Sequence, residues 1–444
     1  MWFEPPPHAR EPEHPPGPPP GRGLADELAR LRDLSADVLG TIAQRFAIYG
    51  DFYYVATPIP NYATCDPDLM HQVLVTEARS FVKRTTSLEV LGKGLLMSDG
   101  DFWRRQRRLI QPGFQRESIQ RYGVTIADEV ESMLSRWARR SEVEIRGEML
   151  SLTLEIVCRA LFGRRFGGNG QRLGRAVAAL QEGVIRPQFI PRWIPTPRRL
   201  IDMRYRAIVD SEVYAIIDAP GTPRDALLYD LKAATDEQGR MSRQQLRDEV
   251  VTLFLAGHET TALTLTWALY LVSLHPAIEA ALVDEVRSVA GNAALGAEHA
   301  QKLELTERVL KETMRLYPPA YVLPRVAAER VKIGDYFIPQ GAEVWLWPYF
   351  SQRDARYFAR PDRFDPNRFL PDGEHARSPR AYLPFGAGSR ACVGRHFAML
   401  EAVIALASMV RRFKLTPVDA RPLRPYPRIT LAPARPVRMR LEHR

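Results

Sequence analysis

The sequence predicts a mainly α-helical protein with small β-sheets, which places it in the α+β class. Apolar residues recur mostly at helical spacing from Cys65 to about Leu316, and alternating, turn-separated patterns are confined to short stretches on either side. Strands and helices do not alternate as they do in a parallel βαβ sheet. The same patterns exclude a simple helical bundle, because short strands are predicted near both ends.

The elements follow one another without a linker that would divide the chain. Residues 1–23 are too rich in proline to pack, so we expect a flexible N-terminal arm followed by a single domain over residues 24–444. An amphipathic helix is predicted from Leu24, and the stretch DFYYVATPIPNYATC predicts two short strands around a turn. Further on, VKIGDYFIPQGAEVWLW predicts a hairpin, and the Pro-broken C-terminal tail predicts short strands.

Composition limits the function classes. The 444 residues are 45% hydrophobic and 26% charged, and the three cysteines are too widely spaced for a disulfide framework. Because no apolar run of about 18 residues opens the chain, we expect no signal peptide, no transmembrane anchor and a cytoplasmic location. The net charge of +10 suits nucleic acid or an acidic protein. Since the basic residues are scattered over amphipathic helices, an acidic protein partner is the better interpretation, and we expect no nucleic acid binding.

One predicted helix is long and apolar, yet polar in its middle. Ser242 and Gln245 form a capping box at its start, and His275-Pro276 ends its pattern, so it is roughly 30 residues or about 45 Å long. Its centre reads LFLAGHETTALTLTW. A glycine there costs about 1 kcal/mol relative to alanine, and buried polar groups add to that cost unless they are satisfied.

The polar centre of this helix indicates a catalytic role rather than a zinc site. A zinc protease needs a second histidine four residues after His258, where Ala262 stands. The threonine hydroxyls could simply bond back to carbonyls one turn earlier. However, a glycine that lets the helix open, followed by the acid Glu259 and the alcohol Thr260, can hold a small ligand and a water with a proton source in reach.

The candidate metal ligand is Cys392, in YLPFGAGSRACVGRHFAMLEAV. Glycines surround it, Arg390 precedes it and a helix begins after it, so we expect the helix dipole and the nearby charge to favour the thiolate. Phe385 can shield the sulfur from water. A single thiolate without other Cys or His ligands cannot hold zinc or an iron–sulfur cluster, but it can be the axial ligand of a haem.

These residues resemble a known family. PFGAGSRACVG matches at every fixed position the haem-binding loop of the cytochrome P-450 haem-thiolate monooxygenases, F-x-x-G-x-[R/H]-x-C-x-G. AGHETT matches the oxygen-activation motif of the family, KETMRLYPP its E-x-x-R, and WRRQR its W-x-x-x-R. The motifs occur in the family's order from about residue 24 to the end of the chain. The resemblance implies the P-450 fold, a triangular helical prism with haem between a long distal helix and a proximal cysteine loop and helix.

The resemblance also implies roles for residues. Haem b (iron protoporphyrin IX) is expected on Cys392. Thr260 is expected to hold a water or hydroperoxo group by hydrogen bonding, and Glu259 is expected to supply protons from the solvent side. Glu312 and Arg315 could be a surface pair, but with the family's third partner, Arg368, a buried structural triad is implied. The implied cofactor-binding residues are Trp103, Arg107, Arg325, Phe385, Gly386, Arg390 and Cys392, whereas Arg104, Arg105 and Arg108 are expected to form a solvated patch for an acidic electron donor.

The implied activity is insertion of one oxygen atom from O2 into a hydrophobic small molecule, such as a terpene, fatty acid or steroid. Electrons are expected from a separate ferredoxin and its NAD(P)H reductase. A haem-thiolate peroxygenase and a non-catalytic haem sensor or carrier are the alternatives, and the acid–alcohol pair speaks against both. The segment IRPQFIPRWIPTPRRL is interpreted as a substrate-access lid. The expected pocket residues are the Thr85–Leu96 loop, Leu255, Ala256, Ala320, Tyr321, Val322, Leu323, Thr430 and Leu431.

Overall fold

A computed structural model describes residues 14–19, 23–57, 59–83, 92–165, 172–177, 179–180, 196–237, 239–373 and 379–444. Several sequence-based expectations lie wholly or partly outside these residues. They concern most of the N-terminal arm, residues 85–91 of the expected pocket loop, and residues 185–195 of the expected lid.

Helices make up most of the described chain, as predicted. Two of the short ones, Ala297–Ala300 and Pro348–Ser351, are single turns that connect larger elements. In chain order the helices are α1 (Leu24–Ala36), α2 (Val38–Tyr49), α3 (Pro67–His71), α4 (Gly100–Ile110), α5 (Arg116–Trp137), α6 (Ile145–Phe162), α7 (Pro197–Asp218), α8 (Leu227–Ala233), α9 (Arg243–Ser273), α10 (Pro276–Ala290), α11 (Ala297–Ala300), α12 (Glu304–Leu316), α13 (Pro348–Ser351) and α14 (Arg395–Arg412).

The strands are short and form several small sheets. They are β1 (Phe52–Val55), β2 (Asn61–Thr64), β3 (Phe81–Val82), β4 (Glu142–Glu144), β5 (Thr235–Asp236), β6 (Gly239–Arg240), β7 (Leu323–Ala327), β8 (Val331–Ile333), β9 (Tyr336–Ile338), β10 (Glu343–Leu346), β11 (Phe413–Pro417), β12 (Pro425–Pro427), β13 (Leu431–Pro433) and β14 (Arg438–His443). The largest sheet has the order β1-β2-β10-β7-β3, with β10 parallel to β2, and a second has the order β11-β14-β4. The predicted hairpin is β8–β9, and β12–β13 is a two-stranded sheet in the tail.

The long helix α9 has the predicted bounds. The Ser242 hydroxyl accepts from the N–H of Gln245 while the Gln245 side chain accepts from Ser242, so the capping box is formed. The helix runs for 31 residues, and most of its side chains from Leu246 to Val272 are buried. Helices α6, α7, α12 and α14 pack around it. A helix surrounded in this way explains the nearly continuous apolar sequence.

The N-terminal segment 14–19 does not behave as a free arm. The His14 ring stacks on Tyr54 at 4.3 Å between centroids and bonds the hydroxyl of Tyr62 at 2.8 Å. The N–H of Tyr54 donates to the carbonyl of Pro16 at 3.0 Å. Proline removes donors but leaves carbonyls, so a proline-rich stretch can still accept from the edge of a sheet. The expectation that this stretch does not pack is wrong for residues 14–19.

Among the described helices, none is by itself long and apolar enough to cross a membrane. The bent pair α9 and α10 meets the length and composition limits together, with an angle of 113° between the two helices.

Candidate active site

The loop before α14 carries the candidate ligand, Cys392. Its N–H donates to the carbonyl of Phe385 at 2.9 Å, which closes the loop on itself. Gly386 and Gly388 both have left-handed backbones, with φ of 67° and 68°. A Cβ at Gly388 would lie 2.1 Å from the carbonyl oxygen of Leu74, so only glycine fits where the loop meets its neighbour. The glycines of the motif therefore serve the shape of the loop.

The Cys392 side chain is accessible, although protein surrounds it at longer range. Burial raises the pKa of the Cys392 thiol, while the N–H of Gly394 and the charges of Arg107 and Lys83 lower it. The nearby charges and N–H favour the thiolate as expected, but in the chain by itself the cost of burying the charge exceeds their effect.

Arg390 and Trp103 are brought together, as the resemblance implied. The Arg390 guanidinium lies 4.0 Å from the centroid of the Trp103 ring, donates to the carbonyl of Ser98 at 2.7 Å and pairs with the carboxylate of Asp99. Asp99 also accepts from the N–H of Lys83 at 3.2 Å. The carboxylate thus joins β3 to the cysteine loop at the start of α4.

Lys83, Arg325 and Arg390 form a cationic cluster beside the cysteine loop. Burial, Arg325 and Arg390 lower the pKa of Lys83 to about 7, and burial and Arg390 lower the pKa of Arg325 to about 10. In the described part of the chain, Asp99 is the carboxylate that opposes these effects on all three cations. An excess of buried positive charge is costly by itself and suits a ligand that brings carboxylates.

The arginines of α4 differ from the prediction. Arg107 donates to the carbonyl of Ala391 at 2.9 Å, so this guanidinium fixes the cysteine loop to α4. Arg105, expected on the solvated patch, is buried and bonds Asp236 at 2.8 Å and the carbonyl of Gly239 at 2.9 Å. That prediction is wrong because α4 turns this side chain towards the β5–β6 hairpin. Arg104 and Arg108, one turn apart, are exposed as predicted.

Helix α9 is continuous where a break was expected, at Ala256-Gly257. The Thr260 hydroxyl donates to the carbonyl of Ala256 at 2.8 Å, and the Thr261 hydroxyl to that of Gly257 at 3.3 Å. A Cβ at Gly257 would lie 3.0 Å from Val157 of α6, so the glycine serves the contact between two helices. Ala256 is exposed although its helical neighbours are mostly buried, which means that α9 borders an accessible space at this point.

Glu259 is half-buried on α9 and reaches the C-terminal sheet. Its Oε1 accepts from the hydroxyl of Thr430 at 3.0 Å. The neighbouring His258 is buried, with Nδ1 2.8 Å from the carbonyl of Phe254, and its own carbonyl accepts from Thr153 of α6 at 2.8 Å. Burial lowers the pKa of His258. His258 is thus a structural residue, and among the described residues no group of three His, Cys, Asp or Glu side chains forms a metal site.

Glu312, Arg315 and Arg368 meet in the protein interior. Arg315 donates twice to the Glu312 carboxylate, at 2.7 and 2.8 Å, and Arg368 donates to the same carboxylate at 3.3 Å. The N–H of Asp365 adds a bond of 2.9 Å, and Arg315 also donates to the carbonyl of Gln352. All three charged side chains are buried. This network joins α12 to the segment before the cysteine loop.

Comparison with known proteins agrees with this geometry. The sequence model of the family "Cytochrome P450" matches residues 16–439. The chain belongs to the cytochrome P450 family. It is 36% identical to cyclooctatin synthase of Streptomyces melanosporofaciens over 86% of each chain, and 33% identical to pentalenene oxygenase of Streptomyces avermitilis over 87% of this chain and 89% of that one. The crystal structure of the cytochrome P450DA haem domain superimposes with a TM-score of 0.87 at 26% identity, over 97% of this chain and 98% of that one.

The predicted recognition, fold and enzyme class are thereby confirmed: this P450 is a monooxygenase with haem b as its cofactor. The residues present fit that cofactor. The accessible Cys392 sulfur would hold the iron, and the cluster of Lys83, Arg325 and Arg390 would bind the propionates. When bound, a haem with a thiolate ligand supplies the O–O cleavage chemistry of this family.

The expected pocket residues fall into two groups in this P450. Ala256 is exposed, and Ala320, Val322 and Leu323 are partly exposed. Leu431 and Tyr321 instead pack with Trp347 in a hydrophobic cluster, and the Tyr321 hydroxyl donates to the carbonyl of Arg428 at 2.6 Å. Both side chains are buried in this cluster. Leu255 is buried on α9.

The sequence did not predict a role for four charged residues, namely Lys83, Asp99, Glu249 and Glu401. Lys83 and Asp99 lack a local signal, because their importance comes from contacts with Arg390 on a distant loop. Glu249 and Glu401 are fully buried acids on α9 and α14, and burial raises the pKa of Glu249 to about 8 and that of Glu401 well above its usual value. A charged residue inside an apolar helical pattern was the available signal for both acids.

Proposed function

We propose that this P450 hydroxylates a terpene, with electrons delivered by a ferredoxin and its NAD(P)H reductase. The observation that carries the substrate class is the set of relatives: cyclooctatin synthase, pentalenene oxygenase and, at 31% identity, a cyclooctat-9-en-7-ol 5-monooxygenase of Streptomyces melanosporofaciens. All three relatives are terpene-related enzymes. Fatty acids and steroids, the other expected substrates, have no such support among these three.

The exposed residues among those expected at the pocket support an apolar substrate. Ala256, Ala320, Val322 and Leu323 are partly or fully exposed, and none carries charge. Binding to such a wall is driven by removal of apolar surface from water, at about 25 cal/mol per Å². A hydrocarbon skeleton fits that driving force, whereas an anionic substrate would need a partner that these side chains do not provide.

Proton delivery is assigned to Glu259 and Thr260. Glu259 is half-buried, so its carboxyl group can exchange protons with water and still reach the middle of α9. The Thr260 hydroxyl, held by the carbonyl of Ala256, directs its oxygen lone pairs away from that carbonyl. A water bonded to Thr260 would then be placed beside the exposed Ala256, where the substrate and the oxygen meet.

The electron donor is expected at the surface beside the cysteine loop. Arg104 and Arg108 lie one turn apart on α4, and Arg395 and His396 are exposed at the start of α14. Helix α4 is fixed to the cysteine loop through Arg107, so these groups lie near the ligand. An acidic ferredoxin would be attracted to this surface, and its association rate would fall as salt increases.

Turnover with a reconstituted electron chain tests this proposal. The purified protein would be incubated with a ferredoxin, its reductase, NAD(P)H and each member of a panel of cyclic terpenes, fatty acids and steroids. We expect one hydroxylated terpene whose new oxygen comes from isotopically labelled O2. Product from a fatty acid or a steroid alone would overturn the terpene assignment. Product formed with hydrogen peroxide but never with the electron chain would indicate a peroxygenase instead.

A further inference from the structure

The turn between β12 and β13 is anchored to the core at several points. The carbonyl of Leu431 accepts from the indole of Trp267 at 3.2 Å, and its N–H donates to the carbonyl of Pro319 at 3.1 Å. At the other side of the turn, Tyr321 donates to the carbonyl of Arg428 at 2.6 Å. Because Trp267 of α9 and the segment 319–321 both hold it, this turn has a fixed position relative to α9.

Thr430 stands inside this anchored turn and faces the acid of α9. Its side chain is buried, and its hydroxyl donates to Oε1 of Glu259 at 3.0 Å across 171 residues of sequence. A hydroxyl has a single proton, so the Thr430 proton is committed to one carboxylate oxygen. A glutamate side chain has three rotatable bonds and several accessible rotamers, and a buried donor selects among them.

We propose that Thr430 is a positioning residue that holds the Glu259 carboxylate in the orientation from which it supplies protons to Thr260. This inference rests on the proposed function, since it needs Glu259 to act as the proton source. Thr430 does not contact the reacting atoms. It acts through Glu259, and its own position is fixed by the contacts of the turn with Trp267, Pro319 and Tyr321.

Two replacements of Thr430 separate the hydroxyl from the shape. Thr430→Val keeps the volume and removes the donor, whereas Thr430→Ser keeps the donor. We expect Thr430→Val to lower product formed per NAD(P)H consumed about tenfold, a part of what general acid catalysis contributes, with an unchanged Soret spectrum. Thr430→Ser should return the ratio to within about twofold of the wild type. Thr266→Val, which removes a hydroxyl bonded to the carbonyl of Ala262, is the matched control on α9.

A double-mutant cycle shows whether Thr430 acts through Glu259. In a Glu259→Gln background, Thr430→Val should change the ratio no further, because the carboxylate it positions is gone. An equal loss in both backgrounds, or a Thr430→Val enzyme that matches the wild type, would overturn the proposal. A wild type that forms no product from any substrate would instead refute the proposed function.

An infrared measurement does not depend on turnover, so it distinguishes failure of the Thr430 proposal from failure of the proposed function. The carboxylate stretch of Glu259 can be assigned in the infrared spectrum by subtracting the spectrum of Glu259→Gln. We expect this band to shift in Thr430→Val and to return in Thr430→Ser, since loss of a donor changes the carboxylate bond order. An unshifted band would show that Thr430 does not hold the acid, whatever the substrate is.

Discussion

Arg315 and Glu312 lie one turn apart on α12 and form two hydrogen bonds, of 2.7 and 2.8 Å, although neither side chain reaches solvent. Arg368 and the N–H of Asp365 complete the partners of the carboxylate. Burying these charges is costly, so the network stabilises the fold only because each charged group in it has its partners. It fixes α12 against the segment that leads to the cysteine loop.

Removal of Glu312 should therefore prevent assembly of the holoprotein. Glu312→Ala leaves Arg315 and Arg368 buried without their carboxylate, at a cost of about 3–5 kcal/mol. We expect aggregate or haem-free protein, measured as the ratio of Soret to protein absorbance. Glu307→Ala on the same helix is the control, because Glu307 pairs with Lys311 at the surface, where such a pair contributes about 0.5 kcal/mol. Soluble, haem-loaded Glu312→Ala would contradict the structural role.

The two left-handed glycines of the cysteine loop should differ in their tolerance to alanine. Both share a strain of roughly 1–2 kcal/mol when a Cβ is added. Only at Gly388 would that Cβ meet a backbone atom, the carbonyl oxygen of Leu74; at Gly386 no described atom lies within 4 Å. We expect Gly388→Ala to lose more of its haem than Gly386→Ala, as measured by Soret absorbance. Equal haem content in the two variants would show that the contact with Leu74 is unimportant.

Glu249 makes stability depend on pH. Burial raises its pKa to about 8 from a value of 4.5 in the unfolded chain, while its Oε2 accepts from the N–H of Leu95 at 3.0 Å. Between these values the folded state binds more protons than the unfolded state, so the free energy of unfolding falls as pH rises from about 4.5 to about 8. The slope is at most about 1.4 kcal/mol per pH unit.

Glu249→Gln should flatten this pH dependence, because an amide keeps an acceptor for Leu95 and does not titrate. Chemical unfolding at several pH values measures the effect. The exposed Glu237→Gln is the control and should keep the wild-type slope. If Glu249→Gln showed the wild-type slope, another group would have to account for the pH dependence.

Thr260→Ala should leave folding and the Soret spectrum intact, because its hydroxyl bonds only within α9 among the described contacts. Without the hydroxyl, the water that Glu259 supplies with protons is no longer held in place, so reducing equivalents should appear as hydrogen peroxide. Loss of a proton-transfer group typically costs about a hundredfold or more. Product and peroxide per NAD(P)H consumed measure the change, and Thr266→Ala is the control. An unchanged product ratio would remove Thr260 from the mechanism.

Local signals predicted part of this structure well. The bounds of α9 follow from Ser242 and Gln245 at one end and His275-Pro276 at the other, all within a few residues of the helix ends. The glycines around Cys392 indicated a tight loop. The continuity of α9 at Gly257 was missed because the closeness of Val157 depends on how α6 packs.

Long-range contacts account for what the sequence did not predict. The pairing of Arg105 with Asp236 joins residues 131 positions apart, so its burial left no trace in the local pattern. The cationic cluster of Lys83, Arg325 and Arg390 likewise draws on three distant segments. Desolvation, which raises the pKa of Cys392, is a property of the folded surroundings and cannot be read from neighbouring charges in sequence.

A titration of the ferric Soret band with terpenes, fatty acids and steroids is the most direct test of the substrate class. A substrate that fills the space beside Ala256 would exclude water from it, and the Soret band of the bound haem would report that change. We expect a saturable shift with at least one cyclic terpene and weaker or absent shifts with the other classes. A shift with fatty acids or steroids and none with any terpene would contradict the terpene assignment.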